Sequence, residues 1–151
     1  MTMERTIKPK ISNKPYPIPI EMRPLWRICL IIISIVVVSG DKKYLDQKKV
    51  NILVWMLIRK NRWEEYENYL LGRDNNIPLV SVDTATYKAV EFAIAKNFIK
   101  LEDGRLHITT SGEELFSVLV ENNIMDEERK FLEEQVGKKL SDNKINGLTG
   151  G

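Results

Sequence analysis

The sequence predicts a mostly α-helical α+β fold with one small β-hairpin, and three observations carry that prediction. The stretch at 80–116, VSVDTATYKAVEFAIAKNFIKLEDGRLHITTSGEELF, passes from a helical period to a period of two and back again. Within it, Asp103-Gly104 stands between two alternating runs. That pair suits a type I′ turn, whose two central residues take positive φ. Apolar runs with helical spacing lie on both sides, at 25–71 and at 127–140.

Around the hairpin the elements follow from local chemistry. Asp83 stands where an N-cap belongs, so its carboxylate is placed to accept from the free amides of a helix starting at Thr84. Ala85, Ala89, Val90, Phe92, Ala93 and Ile94 then share one broad face, the expected core side. Asn97 is a good helix-stopping residue, tolerant of the left-handed conformation. Beyond it Ile99 and Leu101 alternate with Phe98, Lys100 and Glu102; after the turn, Leu106 and Ile108 alternate with Arg105, His107 and Thr109. Thr110 or Ser111 opens the next helix at 111–122, with Glu113 or Glu114 as capping-box partner and Leu115, Phe116, Leu119 and Val120 turned inward. Helix, hairpin and helix in this order have the shape of a winged helix-turn-helix domain, here with extra N-terminal and C-terminal helices.

The chain divides into an arm at 1–21, a single domain at 22–140 and a flexible polar tail at 141–151. The arm is basic, and Pro15, Pro17 and Pro19 at alternate positions remove amide donors and favour an extended conformation. Pro24 suits the first turn of the next element, LWRICLIIISIVVV at 25–38. Its β-branched content leaves helix and buried strand both open. The reading adopted is a helix buried on all sides, partly by a partner. About eleven uninterrupted apolar residues after Arg27 fall short of the roughly twenty that a membrane span needs, so no membrane is expected. Ser39-Gly40-Asp41 breaks this element. A helix at 46–60 follows, with the stripe Val50, Leu53, Val54, Leu57 and Ile58 broadened by Trp55 and Met56. A third helix at 62–71 carries Trp63, Tyr66, Tyr69 and Leu70 and stops at Gly72, suited to the left-handed C-cap. A turn at 73–78, a strand at 79–82, and a last helix at 127–140 capped by Asp126, with Phe131, Leu132, Val136 and Leu140 facing in, complete the elements.

Composition narrows the function classes. At 43% hydrophobic and 29% charged, the chain reads as a soluble globular protein, expected in the cytoplasm. The single cysteine, Cys29, excludes an intramolecular disulfide. The single histidine, His107, falls on the outer face of a hairpin strand. A structural zinc site wants four nitrogen or sulfur ligands, so no metal is expected. No glycine-rich phosphate loop of the GxxxxGK[ST] kind is present, and no cofactor is expected. Asp46, Glu64, Glu65 and Glu67 read as helix-surface charges with no histidine or cysteine beside them, so the chain is not expected to be an enzyme. Charge is divided: residues 1–62 hold 13 Lys and Arg against 4 Asp and Glu, a net of +9, whereas 63–151 hold 10 against 17, a net of −7. Two surfaces with different partners, a head-to-tail contact, or ordinary solvated charge would each produce that division.

A winged helix commonly binds DNA through the helix that precedes its hairpin. Here the outward positions of that helix are Thr84, Lys88, Glu91 and Ala95, with Tyr87 at the edge. Base reading leans on Arg, Lys, Asn and Gln, and Glu91 would enter a strongly negative groove. Sequence reading by this helix is therefore not expected. Phosphate contact needs only placed cations, and Lys42, Lys43, Lys48, Lys49, Lys88, Lys100 and Arg105 are the candidates. The candidates for a protein interface are Pro17 and Pro19 of the arm together with Trp26, Arg27, Trp55, Trp63 and Tyr66; self-association would use the same kind of surface.

Four stretches carry a family resemblance: EMRPLWRICLI at 21–31, NILVWML at 51–57, TYKAVEFAIAKNFI at 86–99 and ITTSGEEL at 108–115. The last two are common to winged helices; the first in combination with the second is the more specific part. In these the chain resembles the small middle component of bacterial ABC-three-component antiphage systems, including the Lamassu type. The resemblance implies a non-catalytic accessory subunit that bridges an SMC- or Rad50-like ABC ATPase and an effector subunit, with the ATP chemistry in the partner; contact with DNA through the complex is left open. It brings no catalytic positions. The alternative is a winged-helix transcriptional regulator.

Overall fold

The computed structural model describes residues 23–73, 77, 78, 80 and 84–136. The arm with Pro17 and Pro19, the Asp83 cap, Leu140 and the tail lie outside the described residues. Of the strand expected at 79–82 only Val80 is described; it is buried and not in a strand.

Helix α1 (Pro24–Ser39) resolves the open choice at 25–38 in favour of helix. Pro24 serves as its first residue, where a missing N–H costs nothing. Every side chain from Arg27 to Ile35 is buried. Helices of the same chain pack around this stretch, while Leu25 is exposed and Trp26 and Val36 to Val38 are half-buried. Extended to Lys42, α1 is the one helix among the described residues long and apolar enough to cross a membrane, and half of it is buried inside the fold. Gly40, at φ 62°, ends the helix in a conformation that a side chain resists.

A short turn leads to β1 (Tyr44–Asp46), a strand the sequence reading did not anticipate. Helix α2 (Gln47–Ile58) follows; Met56 is fully buried as expected, and the stripe is broader than predicted, with Asn51 and Ile52 also buried. Helix α3 (Trp63–Leu70) ends at Gly72, φ 74°, where Gly72 N–H donates to the Tyr69 carbonyl and Arg73 N–H to that of Asn68. Helix α4 (Thr84–Ala95) ends the same way on Asn97, φ 64°: Asn97 N–H donates to Ile94 and Phe98 N–H to Ala93. Both are Schellman motifs, which satisfy carbonyls left over at the last turn. The core face of α4 is narrower than predicted. Thr86, Ala89, Val90 and Ala93 are buried, whereas Phe92 and Ile94, at the margins of the apolar arc, are 48% and 37% exposed.

Strands β2 (Ile99–Glu102) and β3 (Arg105–Ile108) form the predicted hairpin, with Asp103 and Gly104 both at positive φ. The sheet is antiparallel in the order β1-β3-β2. Ile99 and Leu106 point into the core as expected, but Leu101 is 47% exposed because β2 lies at the sheet edge. Helix α5 (Thr110–Glu121) starts one residue earlier than predicted. Thr109 is its N-cap and accepts from Gly112 N–H at 3.1 Å, while its hydroxyl proton lies within reach of the Asn97 and Phe98 carbonyls. Glu113 is not a capping-box partner; it pairs with Lys43 at 3.2 Å. Leu119 is buried, Leu115 and Phe116 are half-buried, and Val120 is exposed, contrary to expectation.

Helix α6 (Asp126–Lys130) runs into a π-helical segment, Phe131–Val136. Met125, at φ 59°, occupies the cap position predicted for Asp126, which lies in the first turn and binds Arg129. Phe131, Leu132 and Val136 are buried as expected. The result is mostly helical with a small three-stranded antiparallel sheet, organised around α1.

Candidate protein and nucleic-acid interface

The predicted interface residues divide by burial. Arg27 is buried and donates from Nη1 to Thr86 Oγ1 at 3.1 Å, so it fastens α1 to α4 and is not available to a partner. Tyr66 is fully buried in α3. Burial pushes its phenol above the ordinary tyrosine range, against the opposite pull of the Trp55 side chain, Arg59 and Arg62. Trp63 is half-buried, donates from Nε1 to the Met56 carbonyl at 2.8 Å and stacks on Phe131 with centroids 4.3 Å apart. Its faces therefore tie α2 and α3 to the last helical segment. Trp55 is half-buried under the Arg59 guanidinium, which lies 3.3 Å from its ring centroid. Trp26 lines an open cleft of about 400 Å³ with Lys60 and residues 123–128.

That cleft holds an ion cluster the sequence reading missed. Lys60 Nζ lies 3.3 Å from Glu127 Oε1 and 3.2 Å from Glu128 Oε2, and Glu128 is buried. Burial works against the Lys60 charge, but the hydrogen bonds and attraction of Glu128 and then Glu127 outweigh it and raise its pKa. Together with Lys43–Glu113, this shows one use of the divided charge: cations of the first half pair with carboxylates of the second inside one fold.

The DNA-contact candidates do not form one patch. Lys42, Lys43, Lys48, Lys88, Lys100 and Arg105 are exposed, and Lys49 is half-buried. The register lays two rows on the outer face of the sheet, Tyr44–His107–Lys100 and Asp46–Arg105–Glu102. Arg105 Nε stands 3.7 Å from Asp46 Oδ1, with its guanidinium 5.0 Å from the Tyr44 ring. His107 is not freely solvent-facing: it is half-buried, with Nε2 3.8 Å from Glu102 Oε1 and its ring 5.0 Å from that of Tyr44. Lys100 and Arg105 thus share their face with two carboxylates, which weakens it as a phosphate surface. Lys48 and Lys49 begin α2, whose Gln47 N–H donates to the Gly104 carbonyl at 2.9 Å, so they lie close to the hairpin tip. Lys88 is elsewhere, on α4, whose outer face presents Thr84, Tyr87, Glu91 and Phe92 as well.

Among the described residues no group of three or more His, Cys, Asp or Glu is placed to hold a metal ion. What the fold and its surfaces define is a mostly helical domain with a small antiparallel sheet, an aromatic helix face and mixed-charge strands. Comparison with known proteins finds no family model that matches the chain, and no curated protein or solved structure similar to it.

Proposed function

We propose that this chain is a winged-helix accessory subunit that acts by binding proteins: an SMC-like ABC ATPase on one side and an effector on the other, in a cytoplasmic bacterial antiviral complex. The observation that carries the reading is the outer face of α4. In a winged helix with this element order and the strand order β1-β3-β2, α4 is the helix that would enter a DNA groove. Its outer face instead offers Tyr87 and Phe92, each about half exposed, with Glu91 between them. Half-exposed aromatics suit a protein partner, where such side chains supply most of the binding energy. The balanced charges on the hairpin support the same reading, and the resemblance to the middle component of ABC-three-component systems supplies the class of partner.

The experiment is co-expression with the ATPase encoded beside it in the genome. The expected result is a stable complex that survives gel filtration at high salt and is lost when Tyr87 and Phe92 are changed to Ser together. Failure of the wild-type chain to join such an ATPase would refute the proposal.

A second reading, a winged-helix regulator that touches DNA, is favoured by the exposed Lys42, Lys43 and Lys48 between α1 and the hairpin tip. It predicts salt-sensitive binding to the chain's own promoter, weakened by Lys48→Ala and Arg105→Ala. Equal affinity for promoter and random duplex would remove it.

A further inference from the structure

Among the described residues no further strand pairs with the outer edge of β2. Glu102 and Arg105 flank the two-residue turn and form the hydrogen-bonded pair next to it. Bonded and non-bonded pairs alternate along an antiparallel ladder, so Lys100–His107 is bonded and Leu101–Leu106 is not. The N–H and C=O of Leu101 therefore point away from β3, and no backbone group among the described residues takes them. The Leu101 side chain ends the row Leu45–Leu106–Leu101, of which the first two members are buried and the third is 47% exposed. An open edge with an apolar residue is a template for another strand.

The residues on that edge select the strand. We propose that β2 pairs antiparallel with β2 of a second copy of this chain, about a twofold axis through Leu101, joining the two sheets into one of six strands. Under that operation Lys100 faces Glu102 of the second copy, and Glu102 faces its Lys100. Parallel pairing in register would set lysine beside lysine and glutamate beside glutamate. The Leu101 pair exchanges two N–H···O bonds and shields the exposed half of each leucine. The Lys100–Glu102 pairs fall at non-bonded positions, where facing side chains approach most closely. Both residues are available: among the described residues Lys100 makes no ion pair, and Glu102 has only the His107 imidazole at 3.8 Å. With three residues per strand the pairing is a concentration-dependent dimer, which leaves a partner room to compete for it. The dimer involves this chain alone and does not rest on the adaptor reading.

The test is sedimentation equilibrium of the purified full chain across a concentration series, with circular dichroism to verify the fold of each variant. Wild type is expected to pass from monomer to dimer. Lys100→Glu and Glu102→Lys, which turn both cross-dyad pairs repulsive, are each expected to weaken the dimer about tenfold. The double exchange is expected to restore it. A monomer at every concentration, a dimer unaffected by the single reversals, or a double exchange that fails to recover would each overturn the proposal.

Discussion

Replacing Gly112 with Ala is expected to destabilise the protein, although the same change in an ordinary helix interior stabilises it by about 1 kcal/mol. Gly112 lies in the first turn of α5, and the reason for glycine is space. A Cβ there would stand 2.3 Å from the Phe98 carbonyl oxygen and 2.5 Å from Ile108 Cδ1, where ordinary contact begins at 3.4 Å. Ile108 can turn aside, but the carbonyl cannot. It accepts from Thr109 N–H at 3.1 Å and lies 2.9 Å from Thr109 Oγ1. The first turn of α5 must therefore retreat by about 1 Å, stretching the 3.1 Å bond from Gly112 N–H to the Thr109 cap. Overpacking costs about 1–3 kcal/mol, and a weakened cap about 1 kcal/mol more. Against the propensity gain this leaves a net loss of about 1–3 kcal/mol, or roughly 3–12 °C in Tm for a domain of this size. Differential scanning calorimetry of the variant beside wild type measures it. A Tm equal to or above wild type would refute the close approach of α5 to the hairpin base.

Three further outcomes follow from other parts of the molecule. Ile32→Ala, at the fully buried centre of α1, is expected to cost about 2–5 kcal/mol in urea unfolding of the isolated chain, because α1 is covered by its own fold; a loss under about 1 kcal/mol would contradict that packing. Burial pushes the Cys29 thiol up to about 11 from 9.0, so the folded state holds this proton more tightly than the unfolded state. The contribution is present below pH 9 and lost as pH rises toward 11, so urea midpoints should fall across that window, and less steeply in Cys29→Ala; the same slope in both would contradict it. Phe92→Ser alone is expected to cost about 1–2 kcal/mol of stability, since the side chain is only half buried, leaving the fold intact while weakening ATPase capture in the co-purification assay. Unchanged capture would remove Phe92 from the interface.

Much of the fold was legible because local chemistry and tertiary structure agree. Asp103-Gly104, Asn97 and Gly72 each demand a backbone conformation that few residues accept, and each occupies it. What was not legible depends on neighbours far away in sequence. Strand β1 has three residues, too few to show a period, and exists because Tyr44, Leu45 and Asp46 find β3 sixty residues later. Leu101 has the right spacing for the core but sits at an edge, which alternation cannot reveal. Arg27 and Tyr66 looked like interface residues because such residue types are enriched there. Only the packing of α1 on α4, and the burial of α3, shows them to be internal. The Lys60–Glu127–Glu128 cluster joins residues 67 and 68 positions apart, with no motif to announce it.

The central claim is that this chain works by linking proteins, and affinity purification of the tagged chain from its native host, followed by mass spectrometry, tests it most directly. The account predicts that a coiled-coil ABC ATPase and an effector protein come along, and that the Tyr87 and Phe92 double variant loses the ATPase. Recovery of no protein partner, with promoter DNA enriched in the eluate instead, would contradict it.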